Sequence, residues 1–154
     1  MNIFVLDMDH KTNCQYYIDK HIVKMITEHA QLLSSACRMN NIDAGYRLTH
    51  KNHPCAIWAR ASLTNWLWLR DLTKYMNDEY RFRYSRDVNH KSFDVAESLP
   101  VPDIEDLGLT KFALAMPEQY KTSDVVESYR NYYIGEKKNI ATYKNRVAPE
   151  WLNV

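Results

Sequence analysis

The chain has 154 residues, 45% of them hydrophobic and 25% charged, and a formal charge of +1. These values suit one globular domain, residues 1–154, and exclude a disordered chain or one cut into two cramped domains. A nearly neutral molecule has no overall field to draw it to nucleic acid or an anionic membrane, so any such affinity must reside in local patches. Three cysteines, Cys14, Cys37 and Cys55, show no paired spacing and read as reduced, buried thiols of a cytoplasmic protein. The apolar N-terminal stretch is far shorter than the ~20 residues of a membrane span, and it lacks a basic leader. The expectation is a soluble chain without a membrane partner.

Residues 3–6, Ile-Phe-Val-Leu, favour β structure and predict a short buried strand that carries Asp7 and Asp9 at its end. Thr12 with Gln15 forms a capping-box pattern. Ile18, Ile22, Met25, Ile26, Leu32, Leu33 and Ala36 then recur with helical period to about Arg38. His21, Lys24, Glu28, Gln31 and Ser35 share one arc beside this apolar face, with Asp19 on its other flank. Residues 40–52 read as a loop, and Pro54 suits the first turn of a helix running to about Tyr84. Residues 85–116 are more polar, with Pro100 and Pro102, a short helical piece over 111–116, and the character of a lid. Asp124 and Glu127 open a last helix to about Lys144, after which the tail folds back to bury Trp151. The predicted fold is mainly α: a single-domain bundle of three long helices plus short ones, with a short N-terminal β-strand.

Two polar clusters could carry chemistry. His21, Lys24 and Glu28 read either as surface pairs worth ~0.2–0.5 kcal/mol each or as the wall of a cleft. There a desolvated lysine would be a nucleophile and Glu28 or Asp19 a proton shuttle. His50, Lys51, Asn52 and His53 stand before Pro54, where free backbone N–H groups favour an anion, although one of them could simply cap the helix. His50, His53, His90, Asp7 and Asp9 show no standard ligand spacing, so neither a metal nor a cofactor is called for. Arg130, Lys137 and Lys144 repeat every seven residues on the predicted last helix, and Arg81, Arg83, Arg86, His90 and Lys91 cluster near the end of the second, with tyrosines between. This pattern suits phosphate contacts and base stacking, and also suits a solvated face.

Nearly the whole chain also resembles a family of short proteins from large tailed phages and some bacteria, some of them labelled pyrimidine-dimer DNA glycosylases. The resemblance runs through Asp19-Lys20-His21 with Lys24 and Glu28, and through residues 49–55 with Trp58, Ser62 and Asn65. It continues in Glu79-Tyr80 with Arg83-Tyr84, residues 113–117, and residues 129–133 with Lys137, Arg146 and Trp151. It implies an enzyme of the host cytoplasm that cleaves or transfers a glycosidic bond at a base in DNA or a nucleotide. The familiar small dimer glycosylase attacks through an N-terminal threonine amine, whereas this chain begins Met1-Asn2. The implied nucleophile is therefore an imine-forming Lys20 or Lys24, or a water activated by Asp7, Asp19 or Glu28. His21 or Lys24 would supply a proton, and His50, Lys51, Asn52 and His53 would hold phosphate and substrate. Trp58 and Tyr129 would stack, and Asn65, Arg83, Arg130 and Lys137 would add contacts. The competing expectation is a non-catalytic module presenting Arg130, Lys137 and Lys144 to nucleic acid or a host protein. The enzyme reading requires that the loop before Pro54 meet the His21 side of the first helix.

Overall fold

The computed structural model describes residues 1–153. Its six α-helices are α1 (His10–Tyr16), α2 (Asp19–Met39), α3 (Pro54–Ala61), α4 (Leu63–Arg83), α5 (Lys91–Ser98) and α6 (Val125–Tyr132). Among the described residues there is no β-strand, which corrects the expectation for residues 3–6. That segment is buried, but its peptide groups pair with side chains instead of a neighbouring strand. Leu6 N–H donates to Asn13 Oδ1 at 2.7 Å, and the Asn13 amide donates to the Phe4 carbonyl at 3.1 Å. The Tyr17 hydroxyl reaches the same carbonyl at 2.5 Å, Arg130 Nε donates to Leu6 O at 2.9 Å, and Ile3 N–H donates to Asn2 Oδ1 at 2.8 Å. A buried peptide must be paired, and here no ladder is needed to do it.

Only two helices are long, at 21 residues each, where three were expected. Asp9, not Thr12, caps the first: its carboxylate accepts from Thr12 N and Thr12 Oγ1 at 2.9 and 2.8 Å, so α1 begins at His10. The chain then extends at Tyr17 and Ile18 before α2 starts. Arg83 makes this break stable by donating to the Cys14 and Gln15 carbonyls at the end of α1, both at 3.1 Å. A second break falls at Ser62, whose extended backbone separates α3 from α4. Asp106 Oδ1 serves the new helix start, accepting from Ser62 Oγ and from Thr64 N and Oγ1.

The two long helices form the centre, with α1 against α4, α5 against α2 and α3 between the long pair. Ile22, Ile26, Leu33, Trp66, Leu69 and Met76 fill the space between them, and the Trp66 indole donates to Leu33 O at 3.2 Å. Residues 111–116 form no helix where a helical piece was expected, and the helix of that region is α5. The last helix is also shorter than predicted. After α6 the chain widens into a π turn, Tyr133–Lys137, tightens into a 3-10 turn, Lys138–Ile140, and extends before Lys144. Gly135 sits in the π turn directly under the Tyr120 ring, where a Cβ would strike it. No described helix is long and apolar enough to cross a membrane.

Asn13→Ala strips Leu6 N–H of its partner and Phe4 O of one of two. A cost of about 2–4 kcal/mol is expected for such buried losses, read as a lower urea midpoint; an unchanged midpoint would show that residues 3–6 are held by apolar burial alone.

Candidate functional site

The extended N-terminus, one face of α2, the start of α3, residues 114–116 and the turn after α6 enclose a cleft of about 470 Å³. That is the size of a small-ligand site. The arc read from the sequence forms one side of it: His21, Lys24 and Glu28 all line the cleft, and His53 faces them from the start of α3. The loop before Pro54 thus does meet this side of α2: it brings only His53 to the cleft, and farther along the same arc the Ser35 hydroxyl bonds the Thr49 backbone at 3.1 and 3.2 Å. The last turn contributes Lys137 beside Tyr132, with the ammonium 5.1 Å from the ring centre.

One participant has no counterpart in the expectations. Burial of residues 3–6 draws Met1 into the cleft, where its α-ammonium lies 2.7 Å from Glu28 Oε1, with side-chain exposures of only 4% and 12%. Met1, Lys24 and Lys137 are three cations against the single carboxylate of Glu28 in the lining, so the cleft favours an anionic or electron-rich ligand.

The two imidazoles are held neutral. His21 stacks on Phe4, with ring centres 4.4 Å apart, and its Nδ1 lies 2.7 Å from the Tyr133 hydroxyl. Burial, reinforced by the Lys137, Lys24 and Lys20 ammoniums, lowers its pKa to about 3. His53 caps α3, its Nδ1 accepting from Cys55 N at 3.1 Å. Burial again lowers its pKa, followed by the Met1 ammonium and His50, against a smaller opposing pull from Glu28.

The other predicted residues lie elsewhere and hold the fold. His50, Lys51 and Asn52 are exposed outside the cleft; His50 Nδ1 meets Thr49 Oγ1 at 2.7 Å, and the Lys51 carbonyl accepts from Arg60 at 2.6 Å. Asp19 accepts from Arg83 at 3.0 Å and from Lys144 N through both oxygens, while Arg83, fully buried, also pairs with Glu79 at 2.7 Å. Asp7 accepts from Asp9 N at 2.9 Å and lies 3.5 Å from Arg130, which stacks over Tyr16 and Trp151. Trp58 packs in an aromatic cluster with Trp68 and Phe112, and Asn65 ties its carbonyl to Thr110. The Tyr129 hydroxyl is buried between Asn2 and Ala113. Arg130, Lys137 and Lys144 share no helix face: Arg130 braces residues 6 and 7, Lys137 enters the cleft, and Lys144 lies over Tyr84.

Sequence reasoning missed Met1, Phe4, Tyr132 and residues 114–116 as parts of the cleft. The available signal was the proximity of Met1 to a run that had to be buried. Among the described residues, no three His, Cys, Asp or Glu side chains converge as a metal site would require. No family model, curated protein or solved structure matches the chain.

His21 and the sealed His29 both have folded pKa values of about 3, below the ordinary 6.5. Unfolding therefore takes up protons below pH 6.5, and the stability that both rings provide above that pH is lost as pH falls toward 3. Between pH 6 and 5 the pair should lower the unfolding free energy by about 2 kcal/mol, measured by urea titration. A flat profile across that interval would mean that the rings are not buried in neutral form.

Proposed function

We propose that this cleft is the active site of a cytoplasmic enzyme, of the phage type the sequence resembles, that cleaves or transfers the glycosidic bond of a base in DNA or a nucleotide. The observation that carries the reading is the Met1 amine, 2.7 Å from a buried carboxylate and facing a cation-rich cleft of ligand size. A carboxylate so placed can take the ammonium proton and release a nucleophile. The amine then attacks the sugar C1′ as the C1′–N bond breaks, and that bond's electron pair leaves with the base. Opening of the sugar ring, with protonation of its O4′, leaves an imine on the protein, and water hydrolyses it to an abasic sugar and free amine. Glu28 is also placed to stabilise the cationic imine.

Lys24 and Lys137 are the other amines in the cleft, but neither forms an ion pair among the described residues, so each lacks a paired base. Their ammoniums suit a phosphate flanking the target base. Neutral His21 and His53 are not standing acids. The competing binding-module reading set Arg130, Lys137 and Lys144 on one continuous helix; α6 ends at Tyr132, so the three do not stand on a single helix.

Borohydride reduction during incubation with duplexes carrying damaged or modified bases should trap a covalent protein–DNA adduct whose peptide map places the bond on Met1. Glu28→Gln should slow trapping by about 10²-fold or more, and a residue added before Met1 should prevent it. Absence of any adduct across the panel would sink the imine mechanism; an adduct on Lys24 would move the nucleophile.

A further inference from the structure

The chain has six histidines, and His21 and His53 line the cleft. In both, the protein occupies Nδ1 as an acceptor. At His53 the partner is the Cys55 backbone N–H, at 3.1 Å, which can only donate. Nδ1 therefore carries the lone pair, and the neutral ring bears its hydrogen on Nε2.

The same conclusion follows at His21 by elimination. The Tyr133 hydroxyl lies 2.7 Å from Nδ1 and also receives the Ile18 N–H at 3.4 Å. Tyr133 is wholly buried, and no other acceptor for its hydroxyl hydrogen stands among the described residues. Were Nδ1 the donor, that hydrogen would be stranded at a cost of about 1–3 kcal/mol. The hydroxyl donates, and His21 too bears its hydrogen on Nε2.

Neither Nε2 is hydrogen-bonded among the described residues, and neither is a sealed, unpartnered atom. His90 provides an internal comparison. It caps α5 in the same way, its Nδ1 accepting from Ser92 N at 3.1 Å, but it spends its other nitrogen on the Val23 backbone. Capping accounts for Nδ1 at both positions, and only His53 keeps its outer N–H for the cleft.

We infer that His21 and His53 are a pair of fixed, neutral Nε2–H donors that bind the keto oxygens of a base in the cleft. On the glycosidic reading above, on which this role rests, they stabilise the negative charge that gathers on those oxygens as the C1′–N bond breaks. The bond's electron pair passes into the base, no proton leaves either imidazole, and the departing base takes its proton from water. The ligand class is a ring whose edge presents acceptors, such as a dioxopyrimidine; an amino group at either position would set N–H against N–H. The charged and titratable neighbours agree with neutral rings. Lys20, Lys24 and Lys137 face His21, and the Met1 ammonium and His50 oppose charge on His53 more than Glu28 favours it.

Two-bond proton–nitrogen correlation spectra of the ¹⁵N-labelled full chain read both tautomer and charge. Both rings should show the Nε2–H pattern and remain mainly neutral at about pH 6.5, where a free imidazole is half protonated. Free uracil should shift both Nε2–H signals more than free cytosine does. An Nδ1–H pattern at either ring, a half-charged ring at that pH, or equal responses to the two bases would overturn the donor pair. These spectra require no covalent chemistry, so they fail independently of borohydride trapping. His53→Asn and His53→Ser both retain a capping side chain, but only asparagine keeps an N–H donor. Trapping by the asparagine variant should exceed that by the serine variant about tenfold or more, with similar melting temperatures; equal losses would reduce His53 to a helix cap.

Discussion

Burying an extended peptide without a neighbouring strand is the constraint from which the rest of this structure follows. Residues 3–6 lie in the core, and each polar group left there without a partner would cost more than a typical hydrogen bond returns. Asn13 within α1, Tyr17 at its end, Arg130 from α6 and Asn2 itself meet the need. Asn2 does more. Its carbonyl oxygen also meets the Tyr129 hydroxyl at 2.9 Å, and its amide donates to Ala115 O at 2.9 Å. The residue next to Met1 is thereby bonded to α6 and to the wall at residues 113–116, and the amine is carried to Glu28 as a result.

At the other end of α4 a second polar network does structural work that resembles a binding site in the sequence. Glu79 accepts from Arg83 and from Nε and Nη2 of Arg146, and Asp19 accepts from Arg83 and the Lys144 backbone. Two carboxylates and two guanidiniums nearly balance, and Arg83 uses its remaining donors on the end of α1. A buried arginine tolerates desolvation only when so fully paired. This explains why Asp19 and Arg83 sit within motifs that look functional and yet contribute nothing to the cleft.

How much could be read from sequence depended on the range of the interactions concerned. Helical periodicity identified the face of α2 and the arc of His21, Lys24 and Glu28, because both follow from 3.6 residues per turn. The break at Ser62 was not legible, since the carboxylate that supports it is Asp106, 44 residues away. The strand expectation failed because β-favouring residues report burial in an extended form and carry no information about a partner. The seven-residue spacing of Arg130, Lys137 and Lys144 implied one face only while the helix was assumed to continue. Of the residues expected to touch a ligand, His21, Lys24 and Glu28 on α2 and Lys137 after α6 reached the cleft and Asp19 did not, whereas the loop before Pro54 delivered His53 and turned His50, Lys51 and Asn52 outward.

The π turn after α6 gives backbone length a direct role at the cleft. Each residue advances a helix by about 100°, so a turn widened by one residue rotates everything beyond it relative to a regular helix. Tyr133 points into the core and Lys137 into the cleft from the two ends of that turn. Gly135, between them, leaves room for the ring of Tyr120, so the bulge and its cover are fitted to one another. Loss of a single residue there would restore an ordinary helix and swing the ammonium of Lys137 aside while leaving the composition of the segment almost untouched. The direction of that charge is encoded in spacing, and related chains with an identical lysine but a shorter turn would not share its aim.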